Sequence, residues 1–446
     1  MSLLNTYAPH WKKGLIALLI LAPLFYITYG FANHWAASLS EVPTIMFEWE
    51  QSVALIPWTI LPYWSINFFY GLSLLIAPNV LTLKRHFLRL LTAQIICVIC
   101  FIVFPLKFSL VRPAIEGWEG FLFDALTSFD LPFNQAPSLH IVLLLILWDF
   151  YRRLLSGKWL WMLHIWSLLI AVSVLTTWQH HFIDIPTGVL AGLFCMWMWP
   201  LQGSSIVQAV KSKNPVNNRI CLYYLLAATG SAALFIKLGS LINPVFWWFT
   251  WISFSLLLVS FAYGFGGPWV FQKSANGQQS LASRWLLAPH RMGSWVNSRV
   301  WTWRQKHCVQ VTHEVYLGRY PDEEVLKSKG IGAVLDLTCE LGGLKLKDNL
   351  KTIQCHPLLD LVVPESSDLL ECANILKILA EKEKVLVFCA LGYSRSAAVV
   401  VTWMCLTSKE MDVEKAVSQL KAIQPEIRLN SAWKSRIKKA LQEAQS

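Results

Sequence analysis

The sequence predicts a multi-domain chain, with an all-α polytopic membrane domain followed by a soluble α/β domain. Three observations carry that expectation. Of the 446 residues, 55% are hydrophobic and only 15% are charged, a balance outside the range of water-soluble globules. The apolar residues gather into eight runs of spanning character, all before residue 266. From about Gln310 the runs shorten to strand length and alternate with helical periodicity, the pattern of a parallel sheet covered by helices.

Six runs form the first block, residues 1–205: Gly14–Ala32, Val53–Ala77, Phe87–Leu106, His140–Tyr151, Trp159–Trp178 and Ile183–Leu201. Two more, Ile220–Leu238 and Val245–Phe265, make residues 206–265 a pair of additional transmembrane helices. The net charge of +11 is not a nucleic-acid signal, because the cations sit in short loops between apolar runs. Lys12 and Lys13 precede the first run, Lys84, Arg85 and Arg89 follow the second, and Arg152, Arg153 and Lys158 follow the fourth. Basic loops alternate with loops such as Asn33–Gln51, which holds Glu41, Glu48 and Glu50 and no Lys or Arg. The positive-inside rule then puts both ends of the chain in the cytoplasm. The loop Leu106–Leu139 breaks the alternation: it is expected outside, yet it carries Lys107 and Arg112.

Residues 266–309 read as a juxtamembrane linker. Lys273, Arg284, Arg291, Arg299, Arg304 and Lys306 alternate with Trp269, Trp285, Trp295, Trp301 and Trp303, and no acidic residue intervenes. Next to a membrane helix, that composition favours an anionic lipid surface over base stacking. The ten cysteines show no framework spacing. Cys97 and Cys100 lie inside an apolar run, where they read as small helix residues and not as a metal or redox pair. No cleavable signal is evident, and with no disulfide framework the expected location is a bacterial inner membrane.

In residues 310–446, strands are expected at Val311–Leu317, Ala333–Leu337, Thr352–His356 and centrally at Val385–Phe388. Helices are expected at Ser366–Glu381, Ser396–Met404, Asp412–Ile423 and Ser431–Glu443. The stretch Val385–Ala398, VLVFCALGYSRSAA, is a strand, a tight loop with Gly392 and a helix start. Loop N–H groups and the positive helix end converge there on one spot, forming a phosphate cradle. A cysteine in that setting, Cys389, beside Arg395, becomes a nucleophilic thiolate. Arg395 can hold two phosphate oxygens bidentately. The segment Cys389-Ala-Leu-Gly392-Tyr-Ser394-Arg395-Ser396 resembles the signature loop of dual-specificity phosphatases, a branch of the cysteine-based protein tyrosine phosphatases. Tyr316–Arg319 and Lys329–Leu337 resemble the opening of the same domain. The resemblance implies Cys389 as nucleophile, Arg395 as phosphate clamp, Gly392 and Ser394 in the phosphate-binding loop, and Ser396 easing thiolate departure. Asp360 stands where that family carries its catalytic acid, with Asp368 as the alternative. One departure is Phe388, where the family usually has His.

Two polar fragments interrupt the apolar half: Asn134–His140 and Gln179–Asp184. Ionisable residues at span ends are costly unless they line a site, and both fragments fall on the face expected to hold Lys107 and Arg112. Asp184, four residues after His180, shares its helix face. The set lacks clear metal-ligand spacing and includes two cations, so phosphohistidine chemistry explains it better than zinc. His180 would attack phosphorus, Asp184 would fix its tautomer, His140 would protonate the leaving oxygen, and Ser138 and Arg112 would bind phosphate oxygens. This set resembles the type-2 phosphatidic acid phosphatase superfamily, with its lipid phosphate phosphatases and inositol phosphorylceramide synthases. That resemblance implies a six-helix phosphatase-like core and makes Lys107 a phosphate-binding residue. The departures are a first motif shortened to four residues between Lys107 and Arg112, and Ser173-Val174 where the family has Ser-Arg. Lipid phosphotransfer therefore stands beside hydrolysis, and His181 beside His180 as nucleophile.

The expected whole is a membrane-bound phosphoric monoester hydrolase with two phosphate centres, needing no cofactor or metal. Its expected partners are anionic membrane lipids and a phosphorylated lipid or phosphoprotein, with no nucleic acid. The alternative keeps only the cysteine site active and makes the membrane half a lipid-binding anchor.

Overall fold

The computed structural model describes residues 10–211, 217–344, 350–408 and 410–445. The chain forms two compact units, Met1–Gln202 and Gly203–Ser446.

The first unit is helical: α1 Trp11–Ala37, α2 Ile60–Leu75, α3 Val80–Val103, α4 Gly117–Thr127, α5 Leu139–Tyr151, α6 Gly157–Thr176 and α7 Asp184–Met198. Asn79 starts α3 by accepting the Thr82 N–H at 2.8 Å, a side-chain cap on an orphan donor. Helices α5 and α7 pack closely because α7 offers glycines to α5. A Cβ on Gly188 would lie 2.8 Å from the Ile141 Cβ and 2.9 Å from the Ser138 carbonyl oxygen, the small-residue contact of membrane helix pairs. At the other end of α5, Asp149 is fully buried and binds Arg89 at 2.8 Å, Arg152 at 2.5 Å and Arg153 at 3.2 Å. Arg89 is thus a buried clamp between α3 and α5, not a loop charge as the sequence suggested. Arg85 is buried as well, donating to the Pro200 carbonyl at 2.9 Å.

In the second unit, α8 Ile206–Lys211, α9 Asn218–Leu241, α10 Thr250–Phe261, α11 Leu281–Leu286 and α12 Ala288–Trp301 precede an α/β domain. Among the described residues, five helical segments are long and apolar enough to cross a membrane: Trp11–Ala37, Val80–Val103, Gly157–Thr176, Asn218–Leu241 and Pro244–Phe271. Of the eight expected runs, three form shorter helices. Pro57 and Pro62 leave α2 sixteen residues long, and α5 and α7 are shortened by the polar fragments that open them.

The α/β domain holds β1 Cys308–Gln310, β2 Val315–Arg319, α13 Glu323–Lys329, β3 Ala333–Thr338, β4 Thr352–Leu358, α14 Ser366–Ala380, β5 Val385–Cys389, α15 Arg395–Thr407, α16 Val413–Ile423 and α17 Ser431–Glu443. The strand order is β1-β2-β5-β3-β4, parallel except for β1. The single strand expected over Val311–Leu317 is instead a hairpin. Val311 and Thr312 both donate to the Val315 carbonyl and turn the chain between β1 and β2. β5 lies in the middle of the sheet, fully buried, so it carries apolar residues on both faces. Val385, Val387 and Cys389 face the cluster formed with α14 to α17, while Leu386 and Phe388 face the opposite core.

The linker is part of this unit's structure. Lys273 is buried and donates to Asp336 at 2.7 Å, to the Thr338 carbonyl at 2.8 Å and to the Thr338 hydroxyl at 2.9 Å. Arg299 binds Asp322 at 2.6 Å and the Tyr320 carbonyl at 3.0 Å. These two cations, read from sequence as lipid-facing, turn inward to the sheet. Val270, Phe271, Leu286 and Leu287 are buried too, whereas Trp285, Met292, Trp295, Val296, Val300, Trp301 and Trp303 are exposed.

Candidate active sites

The C-terminal edge of the sheet delivers Cys389, whose register partner on β2 is Arg319. The chain then turns sharply at Gly392. Its φ of +82° suits glycine, and a Cβ there would lie 2.7 Å from the Gly318 carbonyl carbon. The Gly392 N–H points at the Cys389 Sγ at 3.2 Å, and the Ser396 hydroxyl donates to the same sulfur at 3.3 Å. Helix α15 begins at Arg395, so the sulfur lies at the positive end of a helix. Ser394 donates its hydroxyl to the Arg428 carbonyl at 3.1 Å. Phe388 is fully buried and meets Tyr320 edge to face at 5.6 Å. It thus fills the core beneath the loop and makes no bond to it.

Arg395 is buried and held on two sides. Its Nη1 and Nη2 bind the Glu340 carboxylate at 3.0 and 2.7 Å, and Nη1 also donates to the Leu358 carbonyl at 2.9 Å. Nη2 reaches Asp360 at 3.0 Å, while Nε is buried with no hydrogen-bond partner among the described residues. One edge of the guanidinium is therefore fixed by Glu340. The other edge, Nε and Nη2, is open to an oxyanion once Asp360 withdraws. Glu340 was not singled out from the sequence; its only signal is a lone carboxylate just past a buried strand. Burial alone would raise its pKa, but the charge and hydrogen bonds of Arg395 hold it below the ordinary carboxylate range.

Asp360 is half-buried. Burial raises its pKa, the Arg395 charge opposes that, the Glu340 charge adds to it, and the net direction is upward. The next residue, Leu361, has φ of +59° and is exposed, a strained conformation for a branched side chain. Asp368 instead caps α14 through the Glu365 N–H at 3.3 Å and lies 3.3 Å from His356. Of the two aspartates, Asp360 is the one beside Arg395.

Residues 315–442 match the family model described as dual specificity phosphatase, catalytic domain. This part of the chain is a dual-specificity phosphatase domain. It implies phosphoric monoester hydrolase activity. Among solved structures, the phosphatase domain is similar to PTPMT1, crystallised with PI(5)P, at 18% identity over 31% of this chain and 97% of that one, with a TM-score of 0.28. It is similar to human DUSP28 at 23% identity over 31% and 99%, with a TM-score of 0.27. It is also similar to Tk-PTP in its active form at 22% identity over 31% and 95%, with a TM-score of 0.26. No curated protein matches the chain.

In the first unit, the two polar fragments meet. His180 Nδ1 lies 3.0 Å from Asp184 Oδ2, and both residues are buried. The His140 and His180 rings are 6.3 Å apart between centroids, and His140 stacks on Tyr63 at 3.9 Å. His140 Nε2 has no partner among the described residues. His180 and Arg112 line one cavity of about 180 Å³, and His140 lines a second of about 210 Å³. Asp130 and Tyr29 border both. Ser138 sits at the start of α5, its N–H on the Asp184 carbonyl at 3.1 Å. Lys107 is elsewhere: its ammonium lies over the Phe133 ring at 5.9 Å, and it lines neither cavity. His181 is fully engaged. Its Nδ1 meets Glu50 at 2.9 Å, its Nε2 accepts the Ser109 N–H at 3.2 Å, and its ring stacks on Phe108 at 4.4 Å. Val174 is buried among Ile60, Tyr63, Phe123 and Ile141, an apolar setting where an arginine would be uncompensated. Among the described residues no group of three or more metal-ligating side chains is gathered.

Proposed function

We propose that the chain is a membrane-bound phosphatase whose Cys389 site removes a phosphate monoester from the headgroup of a bilayer lipid. One observation carries the lipid assignment. Leu358, Leu359 and Val362, which flank Asp360, share a cavity of about 230 Å³ with Pro268 and Trp269, at the end of the last apolar segment. The exposed Trp and Met face of α11 and α12 suits an interface with acyl chains. A headgroup held at the membrane surface is therefore within reach of the cradle, whereas a folded phosphoprotein would have to pass the same helices.

In this reading the Cys389 thiolate attacks phosphorus while the Nε–Nη2 edge of Arg395 and the loop N–H groups take the equatorial oxygens. Asp360 leaves Arg395 and protonates the departing alkoxide. Water then cleaves the phosphocysteine, and the Ser396 hydroxyl stabilises the leaving thiolate.

The first unit, in the same reading, is a second phosphoryl site. His180, oriented by Asp184, is the nucleophile, His140 the acid, and Arg112 and Ser138 hold phosphate oxygens. A second reading makes this unit a lipid-binding anchor. The apolar burial of Val174 and the absence of Lys107 from the lining of both cavities favour it. The test uses the full chain in detergent micelles, with Cys389→Ser, His180→Ala and the double variant assayed on lipid phosphates and phosphopeptides. Losses on separate substrates support two enzymes. Loss with Cys389→Ser alone supports the anchor, and no loss with either variant overturns both readings.

A further inference from the structure

The cavity shared by His180 and Arg112 is lined by groups of opposite chemical demand. Arg112 brings a positive charge and a buried Nε with no partner among the described residues, beside the His180 ring. Asp130, Asn134 and Gln135 line the same cavity. Asn134 donates its amide N–H to the Tyr29 carbonyl at 3.0 Å, and Gln135 donates to the Gln179 carbonyl at 3.3 Å. Those bonds fix both amides, since a flip would set oxygen against oxygen. The Asn134 Oδ1 and Gln135 Oε1 are consequently buried acceptors with no partner among the described residues. Asp130 is held by the Tyr29 hydroxyl at 3.0 Å and the Asn33 amide at 3.3 Å, both donating to one carboxylate oxygen.

Buried acceptors left unmatched are costly, and a carboxylate facing a phosphate site is costlier still. Both costs vanish if the ligand brings donors and a positive charge to these acceptors. We infer that the cavity binds the zwitterionic headgroup of a phospholipid carrying a primary ammonium, its phosphate on Arg112 and His180 and its ammonium on Asp130, Asn134 and Gln135. Three N–H donors meet three acceptors, and one positive charge meets one negative. A trimethylated ammonium has no N–H to give, and a polyol leaves the Asp130 charge unbalanced. The inference rests on the reading of the His180 site as phosphate-binding, and it concerns recognition, whichever ester bond is opened.

The test is calorimetric binding of dihexanoyl phosphatidylethanolamine to the full-length His180→Gln chain in detergent, whose amide keeps a donor for the phosphate; no detectable binding also overturns the inference. Its N-methyl, N,N-dimethyl and trimethyl derivatives and dihexanoyl phosphatidylglycerol are compared. The Kd is expected to rise stepwise with methylation, by roughly tenfold or more at the trimethyl form, and to be similarly weak for phosphatidylglycerol. Asp130→Asn should erase the preference. A Kd indifferent to methylation, or a preference that survives in a folded Asp130→Asn chain, overturns the inference. The methylation series needs no variant at Asp130, so misfolding there leaves the test intact. Turnover by the native chain is read separately: selective binding without His180-dependent turnover removes only the catalytic reading. Turnover without selectivity removes only this inference.

Discussion

Glu340 grips Arg395 along one edge of the guanidinium, at 2.7 and 3.0 Å, with both side chains buried. The contact leaves Nη2 also on Asp360 and Nε without a partner among the described residues. Glu340→Gln takes away the buried carboxylate that binds two guanidinium nitrogens and leaves Arg395 only the half-buried Asp360, which costs up to about 3–5 kcal/mol, read as a lower Tm. The pH dependence has a definite sign. The Glu340 pKa is depressed in the folded chain, so its contribution is complete above the ordinary carboxylate pKa and is lost as pH falls toward the folded value. The stability gap between native chain and variant is therefore expected to be constant above about pH 5 and to close progressively below about 4.5.

Asp360 has the opposite shift. Burial raises its pKa, Arg395 opposes, Glu340 adds, and the carboxyl keeps its proton to higher pH than an exposed aspartate. That is the direction a general acid needs. Asp360→Asn is expected to lower kcat on alkyl phosphates by about 10²–10⁴ and to affect p-nitrophenyl phosphate far less, because that leaving group needs no proton. The alkaline limb of the kcat profile should flatten in the variant. Equal losses on both substrates would remove Asp360 from the acid role.

The strand-loop-helix around Cys389 was legible because its signals are local: an apolar run, a glycine and an arginine at fixed offsets. Glu340 was not, because its partner lies 55 positions along the chain and nothing in its own neighbourhood marks it. The same limit hid that Asp130, Asn134 and Gln135 line one cavity with Arg112 and His180. Hydropathy also blurred helix lengths. It registers apolar residues whether or not they are helical, so the shortening of α2, α5 and α7 by prolines and polar fragments did not show. Loop-charge counting failed for Arg85 and Arg89 for a related reason, since a cation near a span end looks topogenic until its buried partner is known.

Lys273 joins the linker to the end of β3 through a fully buried ion pair. Burial lowers its pKa, but Asp336 outweighs that and raises it. Lys273→Met should cost about 3–5 kcal/mol, while Lys273→Met with Asp336→Leu should recover most of it, because the pair's desolvation cost disappears with both charges. Thermal unfolding of the three chains decides this.

The two adjacent histidines are expected to fail differently. His181→Ala opens a packed contact with Phe108 and leaves buried Glu50 short of its partner, so it should lower Tm. His180→Ala should abolish turnover at the first unit's site with a smaller change in Tm. Thermal melts paired with a lipid phosphate assay separate the two outcomes.

The most direct test of the lipid assignment compares initial rates of the full-length chain, reconstituted in anionic vesicles, on a vesicle-embedded phosphatidylglycerophosphate and on a soluble phosphotyrosine peptide. The predicted result is at least about tenfold higher kcat/KM for the lipid, abolished by Cys389→Ser. Preference for the peptide, or lipid hydrolysis that survives Cys389→Ser, would contradict it.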